Sequence, residues 1–182
     1  ATHVAFVIDT SGSMRDVGNG GIWPIVRRTI RDLLAAQPAG TRFQLLDADG
    51  RFILGRTGMG ATAWLDNTPD TRERIERTLS RYNQDTVSNP VPGIYNAIRF
   101  LHAKDDPAMR MSVLVVGDEF TATPEPVLLR LDELNPADAN GRRAIAINAI
   151  GVPTTIRMQF SMGNTGIKFA ALMRSSAKQH GG

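Results

Sequence analysis

The chain has 182 residues, of which 42% are hydrophobic and 21% charged, and its formal net charge is +3. This composition is typical of one globular domain spanning residues 1–182. It excludes a disordered chain, and the scattered basic residues argue against a nucleic-acid partner. Since the chain contains no cysteine, a disulfide scaffold, a thiolate zinc site and a cysteine nucleophile are also excluded.

Strands and helices are predicted to alternate along the chain. In order, the patterns predict a strand over 4–8, a helix from Pro24, strands over 42–46 and 51–54 joined by Asp49-Gly50, helices over 70–82 and 93–101, a strand over 111–116, a helix over 124–134, a strand over 143–150 and a helix over 166–179. This order predicts an α/β fold with a doubly wound, mostly parallel sheet, one antiparallel edge strand and helices on both faces. In such sheets, ligands bind at the carboxyl ends of the strands.

The first strand ends in Asp9-Thr10-Ser11-Gly12-Ser13, which places one carboxylate and two serine hydroxyls on a short loop. Hard divalent cations prefer oxygen ligands, and Mg²⁺ takes only a few of them from the protein. The alternative is that these residues cap the next helix. The distance to the predicted helix start at Pro24 argues against this alternative.

A second carboxylate, Asp118, follows the buried strand over 111–116. The next helix has its own start signal in Thr123-Pro124, so Asp118 is not needed as a cap. Because the carboxyl ends of parallel strands meet at one edge, we expect Asp118 to lie near Asp9, as a metal ligand or as an acceptor for a metal-bound water.

This pattern resembles the metal-ion-dependent adhesion site of von Willebrand factor type A domains, in which a D-x-S-x-S loop is followed by an aspartate after a later strand. The resemblance implies the Rossmann-like fold of that family and one bound Mg²⁺ or Mn²⁺ ion. The implied ligands are Asp9, Ser11, Ser13 and Asp118. The coordination sphere would be completed by an Asp or Glu of a protein partner, and such domains are usually monomeric modules.

One position departs from the family pattern. The family has a threonine ligand a few residues before the glycine that corresponds to Gly93, and this chain has Ser88-Asn89-Pro90-Val91-Pro92 there. Ser88 or Thr86 could substitute for that ligand, or water could fill its position. The sequence therefore leaves two functions besides metal-dependent protein binding: a structural or assembly domain with a degenerate metal site, and a Mg²⁺-dependent hydrolase or phosphotransferase.

Catalysis is not expected, because the three histidines are far apart in sequence and no G-x-S-x-G elbow is present. No stretch approaches the length of a transmembrane helix, so we expect no direct membrane contact, and the sequence predicts no compartment. We expect no signal peptide, because the sequence opens directly into a predicted strand. We expect a domain excised from a longer protein, and in relatives a final strand would follow Gly182.

Two further groups of residues have alternative interpretations. Asp47 and Asp49 are either ordinary turn acids or the flanks of a second cation site. Met158, Phe160 and Met162 form either an apolar rim for a partner or a small satellite core.

Overall fold

The computed structural model describes residues 1–15, 22–54, 64–103, 109–152 and 164–182, and Met158, Phe160 and Met162 lie outside these ranges. In chain order the elements are β1 (His3–Ile8), α1 (Gly12–Arg15), α2 (Trp23–Ala36), β2 (Arg42–Asp47), β3 (Leu65–Asp66), α3 (Pro69–Arg81), α4 (Val91–His102), β4 (Met111–Gly117), α5 (Pro124–Leu134), β5 (Ile145–Gly151) and α6 (Thr165–His180). None of these helices is long and apolar enough to cross a membrane.

The strands form one sheet in the order β3-β2-β1-β4-β5. The central strand β1 pairs in parallel with β2 and with β4, so that Ile8 lies opposite both Asp47 and Val116. β4 and β5 are also parallel, whereas β3 is antiparallel to β2. The predicted fold class, a mostly parallel α/β sheet with one antiparallel edge strand, is confirmed. The carboxyl ends of β1, β2 and β4 meet at one edge.

Two apolar layers cover the sheet, because successive side chains of a strand point to opposite faces. Phe6 and Ile8 of β1 pack in the layer formed with α2 and α3, and Ala5 and Val7 pack in the layer formed with α4, α5 and α6. All four side chains are fully buried. Burial on both faces explains why β1 is a continuous apolar run and not an alternating pattern.

The predicted strand over 51–54 is wrong. After the turn at Asp49-Gly50 the chain contacts β2 through one antiparallel bridge, between Phe52 and Leu46. The antiparallel edge strand is instead β3, which pairs with the amino-terminal half of β2. Among the described residues, the outer edge of β2 is thus shared between two segments, with Phe52 opposite Leu46 and β3 opposite Arg42 and Phe43.

Two helix starts also differ from the prediction. A helical turn, α1, follows Ser11 directly, although the sequence showed no helix before Pro24. Because a helical turn begins at Gly12, the distance from Asp9 to Pro24 no longer argues against a helix-capping role for the first loop. α4 begins at Val91, two residues earlier than predicted, with Pro92 in its first turn, where a missing N–H costs nothing.

The start of α4 packs directly on the carboxyl edge of the sheet. The Gly93 amide donates a hydrogen bond to the Ala48 carbonyl oxygen over 2.8 Å. A Cβ atom on Gly93 would lie only 2.6 Å from a Val7 methyl carbon and 2.7 Å from the Asp47 carbonyl oxygen. Only glycine fits this approach, and it fixes the loop over 82–90 against the end of β1.

Candidate metal site

Asp9 follows β1 and is fully buried, and its amide donates a hydrogen bond to the Val116 carbonyl oxygen of β4 over 2.8 Å. The Oδ1 atom of its carboxyl group accepts hydrogen bonds from the Ser11 amide at 2.8 Å and from the Thr86 hydroxyl at 3.4 Å. The Oδ2 atom is buried and accepts no hydrogen bond within the described part of the chain. A buried carboxylate oxygen without a donor is costly unless a cation or a proton compensates it.

Burial raises the pKa of Asp9 from 3.8 to about 7. The nearby Asp118 carboxyl group contributes to this rise, by like charge and by a hydrogen bond to the protonated form, and the bonds from Ser11 oppose it. Asp118 follows β4 and is also buried. The structure therefore brings together the two carboxyl groups that the sequence placed at one sheet edge.

Ser11 and Ser13 lie on either side of Gly12 at the start of α1. Ser11 is buried and Ser13 is half-buried, and their hydroxyl oxygens are 3.1 Å apart. Two oxygens in neighbouring positions around Mg²⁺ lie about 3 Å apart, because each metal–oxygen bond is about 2.1 Å long and the angle is near 90°. The spacing of the two hydroxyls is thus compatible with binding to one ion.

Thr86 and Ser88 take different positions in the loop between α3 and α4. Thr86 is buried, and its hydroxyl lies 3.4 Å from Asp9 Oδ1 and accepts a hydrogen bond from the Thr10 amide at 3.2 Å. Ser88 instead hydrogen-bonds the carboxyl group of Glu119. Of the two predicted substitutes for the missing threonine, Thr86 is the one that contacts Asp9.

Two neighbouring residues were not singled out from the sequence. The Thr10 hydroxyl donates to the Gln84 carbonyl oxygen over 3.0 Å and so holds the loop that carries Thr86. Glu119 is half-buried beside Asp118, and its pKa is raised, first by burial and then by that like charge. In the sequence, nothing distinguishes the Thr10 hydroxyl from the neighbouring candidates Asp9 and Ser11. The only sequence signal for Glu119 is that it directly follows Asp118.

A second buried aspartate, Asp47, ends β2 one strand away from Asp9. Its Oδ1 accepts the Arg51 amide at 2.8 Å, and its Oδ2 accepts Arg51 Nε at 2.6 Å and the Tyr82 hydroxyl at 2.8 Å. Arg51 also contacts Asp49 at 3.0 Å and donates to the Asp85 carbonyl oxygen. Asp47 and Asp49 are therefore turn acids paired with one arginine, which occupies the place that a second cation would need.

The donor set at Asp9 fits a hard divalent cation. It offers two buried carboxyl groups and three hydroxyls, from Ser11, Ser13 and Thr86, and no described residue donates a hydrogen bond to the Asp9 Oδ2 atom. Oxygen donors of this kind suit Mg²⁺, Mn²⁺ or Ca²⁺ better than softer metals. No group of three or more His, Cys, Asp or Glu side chains that could hold a metal occurs among the described residues, so hydroxyls would supply the remaining ligands.

The histidines lie away from this site. His3 begins β1 and His102 ends α4, whereas His180 is buried at the end of α6. His180 Nδ1 is 2.9 Å from the Asn135 side-chain nitrogen, and His180 Nε2 is 3.6 Å from an Asp132 oxygen. His180 thus fixes α6 to the end of α5.

Comparison with solved structures identifies the fold. A von Willebrand factor type A protein from Catenulispora acidiphila superposes with a TM-score of 0.52 at 13% sequence identity, covering 99% of this chain and 43% of that one. The fold of this chain is that of a von Willebrand factor type A domain. No protein-family model matches the sequence, and no curated protein matches it.

Two other similar structures come from different sources. An aerotolerance-related membrane protein of Bacteroides fragilis has a TM-score of 0.54 at 16% identity, covering all of this chain and 89% of that one. Proximal thread matrix protein 1 of the mussel byssus, with a zinc-occupied MIDAS motif (the metal-ion-dependent adhesion site), has a TM-score of 0.51 at 14% identity, covering 98% of this chain and 47% of that one. This chain thus spans under half of the Catenulispora and mussel chains.

Proposed function

We propose that this type A domain is a metal-ion-dependent protein-binding module that acts in adhesion or assembly. One observation carries the proposal: the Asp9 carboxyl group is fully buried, its Oδ2 atom has no hydrogen-bond donor among the described residues, and it lies beside the Asp118 carboxyl group. Two ionised carboxylates in one buried place repel each other, and a divalent cation between them removes this cost.

The proposed ligands are Asp9, Ser11 and Ser13 from the first loop and Asp118 from the end of β4. Thr86 takes the place of the family's threonine, because its hydroxyl is the one that reaches Asp9. The proposed ion is Mg²⁺ or Mn²⁺, which supplies a Lewis-acidic centre for an anionic ligand. The zinc-occupied motif of the mussel protein supports a divalent ion at the corresponding motif.

The proposed partner is a protein that presents an Asp or Glu side chain to the ion. Asp9 and Ser11 are closed off from solvent, whereas Ser13 is half-buried and marks the side from which a ligand can approach. The two carboxylates balance the formal charge of a divalent ion, and the other protein ligands are neutral hydroxyls. Such an ion keeps the capacity to bind a further carboxylate.

A second candidate is a structural domain whose metal site is degenerate. The pKa of Asp9, about 7, favours it, because at neutral pH a proton shared with Asp118 could replace the metal. In that case chelation would change neither the stability of the domain nor its capture of a partner. For a hydrolase or phosphotransferase, the described residues offer no specific support.

Thermal unfolding with EDTA, Mg²⁺, Mn²⁺ and Zn²⁺ tests the proposal. A ligand that binds the native state raises stability by about 2.7 kcal/mol at a hundredfold excess over its Kd. We expect a rise in Tm of several degrees with Mg²⁺ or Mn²⁺, which Asp9→Asn abolishes.

The matched control is Asp49→Asn, which removes a nearby acid that pairs with Arg51 and lies outside the proposed site. Its response to metal should equal that of the wild type. An absence of any shift at millimolar metal would favour the degenerate structural domain. Turnover of a generic phosphoester that requires Mg²⁺ and Asp9 would instead favour the enzyme.

A further inference from the structure

A basic cleft lies beside the proposed metal site, at the carboxyl-terminal half of α3. Its volume is about 570 Å³, and its lining includes Arg74, Arg77 and Arg81 from the helix and Tyr82 and Gln84 from the following loop. All three arginines are exposed. We define these three side chains as the arginine cleft.

The charges of the arginine cleft are poorly compensated. Within the described ranges no carboxylate lies within ion-pair distance of Arg74 or Arg81, and Arg77 is 4.0 Å from Glu73, at the limit of such a contact. The three arginines recur at helical spacing, and like charges three or four residues apart destabilise a helix. The partial negative charge at the carboxyl end of the helix stabilises the positive charge of Arg81, but this effect does not extend to Arg74 or Arg77. An anionic ligand would relieve this repulsion.

The cleft has a fixed frame. The Trp23 indole donates a hydrogen bond to the Leu79 carbonyl oxygen over 3.1 Å, and Arg27 pairs with Glu76 at 3.1 Å, so that α3 is held on α2. The Tyr82 hydroxyl is bonded to the buried Asp47 at 2.8 Å. The helix that carries the three arginines is therefore held in place, and binding would have to order only their exposed side chains.

The cleft is also connected to the metal loop. Gln84 lines the cleft, and its carbonyl oxygen accepts the hydrogen bond of the Thr10 hydroxyl at 3.0 Å, and Thr10 directly follows Asp9. A bound segment that passes Gln84 therefore leaves the arginine cleft at the loop that is bonded to Thr10.

We infer that the arginine cleft binds an acidic polypeptide segment of the same partner whose carboxylate reaches the metal loop. This inference rests on the proposed function for the second contact. Glu73 on the same helix carries negative charge among the arginines, whereas Glu76 is paired with Arg27. Glu73 would repel the continuous phosphate chain of a nucleic acid more than a short segment with separated carboxylates.

Fluorescence anisotropy with labelled hexaglutamate tests the inference at low salt, with Mg²⁺ or EDTA. The test variant is Arg74→Gln/Arg77→Gln/Arg81→Gln. The matched control, Arg99→Gln/Arg142→Gln/Arg174→Gln, removes the same charge from exposed arginines elsewhere on the surface. Three exposed charge pairs together are worth about tenfold in affinity. We expect the cleft variant to lose about tenfold and the control less than twofold, and EDTA or Asp9→Asn to weaken the remaining affinity separately.

Three results would overturn the inference. If the cleft variant and the wild type bind hexaglutamate equally and the metal dependence is intact, the arginine cleft is rejected as a binding site. The proposed function would remain. A cleft-dependent affinity that is the same in Mg²⁺, in EDTA and in Asp9→Asn would reject both the shared partner and the proposed function. Tighter cleft-dependent binding of hexathymidylate than of hexaglutamate would make the cleft a nucleic-acid site.

Discussion

Asp9 and Asp47 are two fully buried aspartates on adjacent strands at the same sheet edge, yet their surroundings are opposite. Both oxygens of Asp47 are bonded, by two groups of Arg51 and by the Tyr82 hydroxyl. One oxygen of Asp9 has no donor in the described structure, and the neighbouring group is another carboxyl. A buried acid with a complete set of partners supports the fold, whereas one with an incomplete set is suited to bind something else.

The largest expected effect is on Asp47. Asp47→Ala removes the buried acceptor of three hydrogen bonds, from the Arg51 amide, Arg51 Nε and the Tyr82 hydroxyl, and at about 1 kcal/mol for each bond the loss is about 3 kcal/mol. At about 2–4 °C per kcal/mol for a domain of this size, the Tm should fall by about 6–12 °C. Urea unfolding with and without Mg²⁺ should give the same loss.

Asp49→Asn is the control for this variant. Asp49 is partly exposed and has one contact with Arg51, so the loss should be below about 1 kcal/mol. An Asp47→Ala chain as stable as the wild type would show that Asp47 contributes nothing to the stability of the fold. The contrast drawn between Asp47 and Asp9 would then be wrong.

Substitution of Asp9, unlike that of Asp47, is expected to raise the stability of the metal-free chain. The pKa of Asp9 in the folded chain is raised from 3.8 to about 7, so folding disfavours the charged form, and stability is lost as the pH rises from 3.8 through 7. In EDTA at pH 8, Asp9→Asn should therefore raise stability by about 2 kcal/mol, or roughly 4–8 °C in Tm. The gain should vanish towards pH 4.

Asp9→Ala sharpens this prediction. Alanine removes the charge and also the acceptor of the Ser11 amide, so its gain should be smaller than that of asparagine. Destabilisation by Asp9→Asn throughout pH 4–8 would show that the Asp9 carboxylate is a structural group like that of Asp47.

Substitutions of Thr86 and Ser88 show which of the two takes the place of the family's threonine ligand. Thr86→Val keeps the shape and removes the hydroxyl near Asp9, and we expect the Kd for Mg²⁺ to rise about tenfold, which equals about 1.4 kcal/mol. Ser88→Ala should change this Kd less than twofold, because Ser88 bonds Glu119. Calorimetric titration measures both, and the reverse order would assign the ligand to Ser88.

The smallest effect concerns His180, far from the metal loop. Burial and the charge of Arg143 lower the pKa of His180 from 6.5 to about 4, against the opposing effect of Asp132. The neutral form is therefore favoured by folding. Its stabilisation is complete above pH 6.5 and is lost as the pH falls towards 4.

Chemical denaturation between pH 7 and 4 should show this loss, about 1 kcal/mol, in the wild type. In His180→Asn the part due to the histidine should be missing. An identical pH profile in the two chains would contradict the assignment of this loss to His180.

The sequence predicted the elements that depend on local pattern. The apolar run over 4–8 and the periodic helix α3 carry their own signals, and parallel pairing then places Asp9 and Asp118 at one edge. The two-residue strand β3 and the single turn α1 are too short to have a period. They depend on contacts with distant residues, and so they were missed.

The same limit applies to the site. The choice between Thr86 and Ser88 is determined by the path of the loop over 82–90. That path is held by hydrogen bonds to Asp47, Arg51 and Thr10, residues 34 to 74 positions away in the chain. The sequence offered both hydroxyls but contained no local signal for the path of the loop.

The central position of β1 has a mechanical consequence. β1 is flanked on both sides by parallel strands, in register over its whole length, and the proposed binding loop continues from its end. A pull on a partner held at Asp9 would act along the strand axis and shear both hydrogen-bond ladders together, so that the bonds would not open one after another. Forced extraction of such a strand is governed by its rate of unfolding, and bonds that must break together make that rate lower than bonds that break one at a time.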